Sequence, residues 1–295
     1  MANLKKKLTT NVLGDFYVDS TCIDCDTCRQ IAPDIFEHQD GYSTVFNQPS
    51  NSDQEQRTLQ ALLACPTVSI GTEGKQDLKA AMQMFPLQVA DGVYYLGFNS
   101  EQSFGANSYF IKHTDGNWMV DSPRFNKHLV QSMEEMGGVK TIFLTHKDDV
   151  ADADKYKERF GAEIILHQDD LVERIEVDHV LKGVETVSIG KDFQIIPVPG
   201  HTKGHCVLLY NQILFTGDHL CWDRQHKRLK AFRRACWYSW PEQITSMTRL
   251  AQYDFNHILT GHGQSIKLST EEMHRYMLDL LPVSYTHLTL PTSPK

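Results

Sequence analysis

No stretch of this chain approaches the run of about eighteen apolar residues that a membrane helix requires. Its start, MANLKKKLTTNVLGDF, is briefly basic but has no apolar core of a secretory signal. These absences predict a soluble, cytoplasmic protein with no membrane partner. A basic stripe is missing too: 29 Lys plus Arg stand against 37 Asp plus Glu, a formal charge of −8. Nucleic acid and anionic lipid are therefore not expected partners. There is no internal repeat and no low-complexity tract, which excludes solenoids and flexible scaffolds. Cysteine is sparse, seven in 295 residues. Three of the seven, Cys206, Cys221 and Cys236, lie scattered through the second half and read as reduced thiols of a reducing compartment.

The other four are not scattered. Cys22, Cys25 and Cys28 form a C-x2-C-x2-C run, and Cys65 is followed by Pro66. Three closely spaced thiolates can hold three corners of a cubane cluster, and a distant Cys-Pro can supply the fourth once the intervening chain folds back. Zinc fits this spacing less well, because structural zinc sites use separated Cys pairs or Cys pairs with His pairs. A two-cluster ferredoxin would carry a further Cys-Pro three residues after the triple, and here that place reads Ala32-Pro33. The expectation is one [4Fe-4S] cluster held by Cys22, Cys25, Cys28 and Cys65. From about Val18 to Ile70 the chain resembles a single-cluster ferredoxin. Residues 1–85 hold seven Lys plus Arg against eleven Asp plus Glu, an acidic surface with which an electron-transfer domain can select a redox partner protein.

At 295 residues the chain has room for two domains. A polar stretch with Gly71 and Gly74 leads into LKAAMQMFP, a short helical pattern that Pro86 ends, so the boundary is expected near residue 85. Beyond it come short β-type runs bounded by Gly, Asp, Asn or Pro: VYYLGF, SYFIKH, NWMVDS, TIFLTH, AEIILH, FQIIPVP, HCVLLY and QILFTG. Amphipathic helical patterns interrupt them: FNKHLVQSMEEMG, ADADKYKERFG, PEQITSMTRLAQY and STEEMHRYMLDLL. This alternation suggests a layered α/β domain over residues 86–283. The last residues, 284–295, break the pattern and resemble a translated vector or adaptor, so they are expected to lie outside the fold.

In this second half His and Asp recur at strand ends. THKDD holds His146 and Asp148, PGHTKGH holds His201 and His205, FTGDH holds Asp218 and His219, and TGHG holds His262. Imidazoles and carboxylates gathered on loops suit a transition metal. Together with VADGVYYL, NSYFI and MVDSP, these segments resemble the metallo-β-lactamase fold over about residues 87–280. PGHTKGH and TGD are the more specific pieces. The implied fold class is an α+β ferredoxin-type domain followed by an α/β, metallo-β-lactamase-like αββα sandwich.

That family opens its metal site with H-x-H-x-D-H, and this chain departs from it. Aligned on His146, the second His becomes Asp148, the Asp becomes Val150 and the last His becomes Ala151. Shifting the frame by two residues aligns Asp152 with the Asp but leaves Ala153 where a His belongs. The resemblance implies a first metal held by His146, Asp148, His201 and Asp218, whereas the second metal keeps only Asp218 and His262. One divalent metal, zinc or iron, is therefore expected. Asp148 has an alternative use as a helix N-cap. His205 and His219 are expected to pack or orient the ligands, and CWYSW at 236–240 to form a packed wall beside them.

The implied activity is hydrolysis of a small-molecule ester, thioester or amide, with His146, Asp148, His201 and Asp218 as the catalytic set. Two other expectations stand beside it. One is an iron-dependent oxidoreductase resembling persulfide dioxygenases, and the other is a non-catalytic electron carrier or redox-sensing binding module.

Overall fold

The computed structural model describes residues 2–289. The chain folds into two compact bodies, one built from residues up to 143 together with 148–164, the other from 144–147 together with 165 onward. The change of local pattern near residue 85 is not the line between them, since residues 86–143 pack with the cysteine segment.

The first body begins with β1 (Phe16–Val18), α1 (Thr27–Ile31), β2 (Phe36–Gln39), β3 (Tyr42–Val45), α2 (Ser52–Ala64), β4 (Ile70–Thr72) and α3 (Leu78–Gln83). β1 pairs antiparallel with β4, Val18 opposite Ile70. β2 and β3 form a hairpin whose two-residue Asp40-Gly41 turn is the type that matches strand twist. Phe16, Val18, Ala32, Ile35, Phe36, Val45, Ala61 and Ile70 make the core, together with Cys28 and Cys65. Asn51 starts α2 by accepting the Gln54 N–H at 3.0 Å. Pro66 prevents its continuation, which leaves Cys65 as the C-cap facing that core.

The same body continues with β5 (Leu87–Ala90), β6 (Val93–Tyr95), β7 (Tyr109–Ile111), β8 (Trp118–Val120), α4 (Lys127–Glu135), β9 (Thr141–Phe143) and α5 (Ala153–Phe160). β5 to β8 pair antiparallel in sequence order. β9 joins β8 in parallel, which requires a crossover, and α4 supplies it. Every residue of β7, β8 and β9 is buried.

The chain enters the second body within β10 (Glu163–His167), whose Ile165–His167 pair in parallel with β11 (His179–Leu181). This body also contains β12 (Val187–Ile189), β13 (Phe193–Pro197), β14 (Cys206–Tyr210), β15 (Ile213–Gly217), β16 (Cys221–Asp223), β17 (Arg228–Lys230), α6 (Trp240–Leu250), β18 (His257–Thr260), β19 (Ile266–Lys267) and α7 (Thr270–Thr289). Its main sheet runs β12-β13-β14-β15-β18-β19. Within that sheet β15 and β18 pair in parallel, and α6 is their crossover. Ser239 caps α6 by accepting the Glu242 N–H. Ile244, Met247 and Leu250 of α6 and Met273 and Met277 of α7 bury against Ile196, Val207, Leu214 and Ile258.

The break expected after residue 283 does not occur where the backbone is described. α7 continues to Thr289, because SYTHLT contains neither glycine nor proline. The rest of the 284–295 stretch lies outside the described residues. Among the described residues no helix is long and apolar enough to cross a membrane.

Candidate cluster cage and metal centre

Cys22, Cys25, Cys28 and Cys65 line one cavity in the first body, with Val18, Ile23, Pro66 and Ile70 as its apolar wall. Asp24 and Asp26 between the cysteines take the left-handed conformation, at φ 59° and 73°. Asp and Asn adopt it more readily than other non-glycine residues, and it turns the three sulfurs to one side. Arg29 locks the loop, donating from Nη1 to Asp24 and from Nε to Asp26, each at 2.6 Å. The Asp24 N–H points at Cys22 Sγ at 3.4 Å and the Ser69 N–H at Cys65 Sγ at 3.3 Å, an arrangement that favours thiolate sulfur.

Burial opposes thiolate. It pushes the Cys25 thiol up to about 11, raises Cys22, and holds Cys28 well above its ordinary value. A cationic centre is what converts such a set to thiolates, and a four-thiolate cage with N–H donors at two sulfurs fits an iron–sulfur cluster. Ala32, where a second cluster's cysteine would stand, is fully buried in the core.

The second body gathers its donors at one end of its main sheet. β13 and β15 each pair antiparallel with β14, so they run the same way, and β18 runs parallel to β15. His201, Asp218 and His262 follow β13, β15 and β18 and emerge at that shared end. His146 reaches it because the Cys206 N–H of β14 donates to the Thr145 carbonyl at 2.8 Å. Gly217 makes the turn to Asp218 at φ +48°, and a Cβ there would lie 2.6 Å from Thr145 Oγ1 and 2.8 Å from His205 Nε2. Only glycine fits.

His146, His201 and Asp218 are buried and offer ligand atoms that all lie within 4.8 Å of one another. Asp218 Oδ2 is 3.5 Å from His201 Nε2 and 3.8 Å from His146 Nε2. Two ligands bound at about 2.1 Å with tetrahedral angles are roughly 3.4 Å apart, so this spacing suits a single ion. Thr145 Oγ1 lies 3.0 Å from His146 Nδ1, and Nε2 is the atom that faces Asp218 Oδ2. His262 Nδ1 is 2.6 Å from Asp218 Oδ1. Burial pushes the Asp218 carboxyl up, but His262, then His146 and His201, hold it well below the usual carboxylate range. His205 Nε2 accepts the Asp218 N–H at 3.2 Å, and its ring stacks on His146 with centroids 4.8 Å apart. Burial keeps His205 neutral and lowers His219 to about 3. Both therefore pack as neutral rings.

The sequence profile of the metallo-β-lactamase superfamily matches residues 84–279. The chain belongs to that superfamily. A second profile, the 4Fe-4S single cluster domain of ferredoxin I, matches residues 18–72. Hydroxyacylglutathione hydrolase of Shewanella pealeana is 29% identical over 145 residues, covering 47% of this chain and 52% of that protein. The probable metallo-hydrolase YybB of Bacillus subtilis is 28% identical over 193 residues, covering 57% of this chain and 85% of that protein. The chain thus spans about half the length of the hydroxyacylglutathione hydrolase it matches. ETHE1 from Myxococcus xanthus superposes with a TM-score of 0.50 at 19% identity, over 68% of this chain and 92% of that one. A metallo-β-lactamase family protein from Thermus thermophilus does so with a TM-score of 0.50 at 17% identity, over 68% and 82%. These structures share the fold.

Against the superfamily's H-x-H-x-D-H pattern, the residue expected to replace the second histidine behaves differently from the other three. Asp148 sits in a single 3-10 turn, Lys147–Asp149, and is exposed, while its neighbour Asp149 is buried. Successive residues of such a turn diverge by about 120°, so adjacent aspartates face different surroundings. The grouped donors His146, His201 and Asp218 do not include Asp148. Asp152, the frame-shifted candidate, accepts the Phe125 N–H at 2.7 Å and anchors a loop.

Two features escaped the sequence. Asp170, 1% exposed, accepts from the Thr202 hydroxyl, from the Gly204 N–H at 3.0 Å and from the Lys147 N–H at 3.3 Å. It ties the loop carrying His201 to the segment carrying His146. The CWYSW segment packs only at Trp240, which lies against the second body's core, while Trp237 is 67% exposed and Tyr238 48%. Its main chain does the holding, with the Trp237 and Tyr238 N–H groups donating to the His201 carbonyl at 2.9 and 3.0 Å.

Proposed function

We propose that this chain is a metal-dependent hydrolase of a small-molecule ester or thioester, using one divalent metal and carrying an accessory [4Fe-4S] cluster. The buried group of His146, His201 and Asp218 carries the reading. These three would hold the metal through His146 Nε2, His201 Nε2 and a carboxylate oxygen of Asp218. A metal bound there supplies Lewis-acid polarisation of a carbonyl and an acidified water. Thr145 keeps the His146 ring turned with Nε2 inward. His262, hydrogen-bonded to Asp218 and partly open to solvent, steadies that carboxylate. The names of two relatives, a hydroxyacylglutathione hydrolase and a probable metallo-hydrolase, support the reaction class.

The test is metal analysis of anaerobically purified full-length chain together with turnover of an acylglutathione. The expected result is about four iron and four sulfide for the cluster, about one further zinc per chain, and turnover. His201→Ala should remove the further metal and the turnover while leaving the cluster. Turnover unaffected by that substitution would refute the site.

A second reading is favoured by the donor set itself. Two histidines and one carboxylate with open positions are the ligand set of non-haem iron(II) oxygenases. The reading is an iron-dependent oxidoreductase supplied with electrons through the cluster by a redox partner protein. A further iron in place of zinc, with oxygen uptake on a persulfide and no thioester turnover, would select it. No further metal at all would leave a redox-sensing binding module.

A further inference from the structure

The cluster cage is not closed by the ferredoxin-like segment alone. Gly105, from the loop between β6 and β7, takes φ +84°, and a Cβ on it would lie 2.8 Å from Cys25 Cβ, 2.9 Å from Cys25 Sγ and 3.0 Å from Pro66 Cγ. Main chain therefore lies against the sulfur so closely that no side chain fits between. The Gly105 carbonyl is held by Asn99 Nδ2 at 2.7 Å and by the Thr27 hydroxyl at 3.2 Å. Asn99 is itself anchored by the Tyr95 hydroxyl, which donates to its Oδ1 at 2.7 Å.

Thr27 also contacts Cys25 Sγ at 3.4 Å. A hydroxyl has one proton to give. Once Cys25 is a thiolate, Thr27 can turn that proton to the sulfur, because Asn99 still satisfies the Gly105 carbonyl.

Arg124, which precedes α4, approaches from another direction. Its Nη2 donates at 2.8 Å to the carbonyl of Leu63, two residues before Cys65. Its guanidinium lies over the Phe98 ring at 5.9 Å. Burial lowers its pKa while Cys65 acts to raise it, and among the described residues no carboxylate lies within ion-pair distance of it. A half-buried cation without a carboxylate needs an anion nearby, and a cluster with four thiolate ligands is one.

We propose that Asn99, Gly105 and Arg124, all outside the ferredoxin-like segment, complete the cluster cage, and that the Arg124 cation raises its reduction potential. Each one-electron reduction adds a negative charge to the caged group. A fixed positive charge beside it favours the reduced form, while the main-chain roof at Gly105 limits solvent access; charge and solvent exposure are both known determinants of cluster potential. The cysteine segment is then no interchangeable module, and its redox behaviour depends on the lactamase-like chain that follows it.

The experiment uses the full chain, purified anaerobically, with dithionite as reductant. Iron and sulfide analysis of the parent comes first, and a parent without a cluster overturns the proposal at the outset. Potentiometric titration followed by EPR then reads the midpoint. Arg124→Gln is expected to lower the reduced-to-oxidised ratio at fixed potential about tenfold, a shift of about 59 mV to more negative values. Arg124→Lys, which keeps the charge, stays near the parent. Gly105→Ala is expected to lose its visible absorbance to a ferrous chelator at least about tenfold faster, or not to assemble the cluster although its far-UV spectrum matches the parent's. An Arg124→Gln midpoint equal to the parent's overturns the electrostatic role, and a Gly105→Ala bleaching rate equal to the parent's overturns the cage.

Discussion

Asp170 belongs to none of the recognisable motifs, yet its removal should damage the candidate metal centre. Asp170→Ala leaves three donors without their acceptor: the Thr202 hydroxyl and the Gly204 N–H, both buried, and the N–H of exposed Lys147. Water can replace the carboxylate at Lys147 but not readily at the other two. Hydrogen bonds to a charged partner contribute about 1.5–3 kcal/mol each, and stranding buried donors adds to the loss. A destabilisation of about 3–5 kcal/mol is expected, lowering Tm by roughly 10 °C for a body of this size. Because Asp170 joins the loops of His146 and His201, losing it should also weaken metal binding about 10- to 100-fold, the usual effect of removing a group that orients ligands. Asp170→Asn, which retains one acceptor oxygen but turns an amide toward donors, should fall between. Calorimetry of the metal-free protein and competitive zinc titration with a chromophoric chelator read the two effects separately. An alanine variant with Tm within about 1 °C of the parent and unchanged zinc affinity would refute the role of Asp170 in setting the site.

Gly217→Ala should cost about 2–4 kcal/mol and weaken metal binding, since the new methyl meets Thr145 and His205 in a left-handed conformation; urea unfolding checks it, and a loss below about 0.5 kcal/mol contradicts it. Stability of the metal-free protein should decline as pH falls from about 6.5 toward 3. Burial holds His219 at about 3 against an ordinary 6.5, so the unfolded chain takes up the proton first and gains stability relative to the fold. A Tm that stays flat between pH 7 and 4.5 would refute this. Trp237→Ala, removing an exposed ring whose centroid is 6.2 Å from that of His201, should raise KM for an aromatic thioester more than it lowers kcat, and an effect on kcat alone would show that the ring does not meet substrate.

Much of the fold was legible because its elements announce themselves locally. VYYLGF, SYFIKH, NWMVDS, TIFLTH, FQIIPVP, HCVLLY and QILFTG each contain a strand, and the four amphipathic patterns are α4 to α7. The strands not read, such as β11, β12, β16 and β19, are two or three residues long and mostly half-exposed, too short for alternation to register. The ligand-bearing segments were readable for a related reason. PGHTKGH and TGD combine glycine turns with donors at fixed spacing, so backbone and chemistry are encoded together.

What stayed hidden depends on geometry that spacing does not carry. Asp148 and Asp149 are adjacent and chemically identical, and only the 3-10 turn decides that the first is exposed and the second buried. Asp170 meets Lys147 across 23 residues and Thr202 across 32, and Gly105 meets Thr27 across 78. The segment at 236–240 is aromatic, which suggests burial, yet only Trp240 packs against the core, while Trp237 and Tyr238 attach through backbone N–H groups and leave their rings outside. On the proposed reading, cluster and metal would each be held by residues a motif can announce and oriented by residues it cannot. For that reason His201→Ala tests only whether the metal centre exists, while substitutions of Asp170, Asn99 and Arg124 test what orients the metal centre and encloses the cluster.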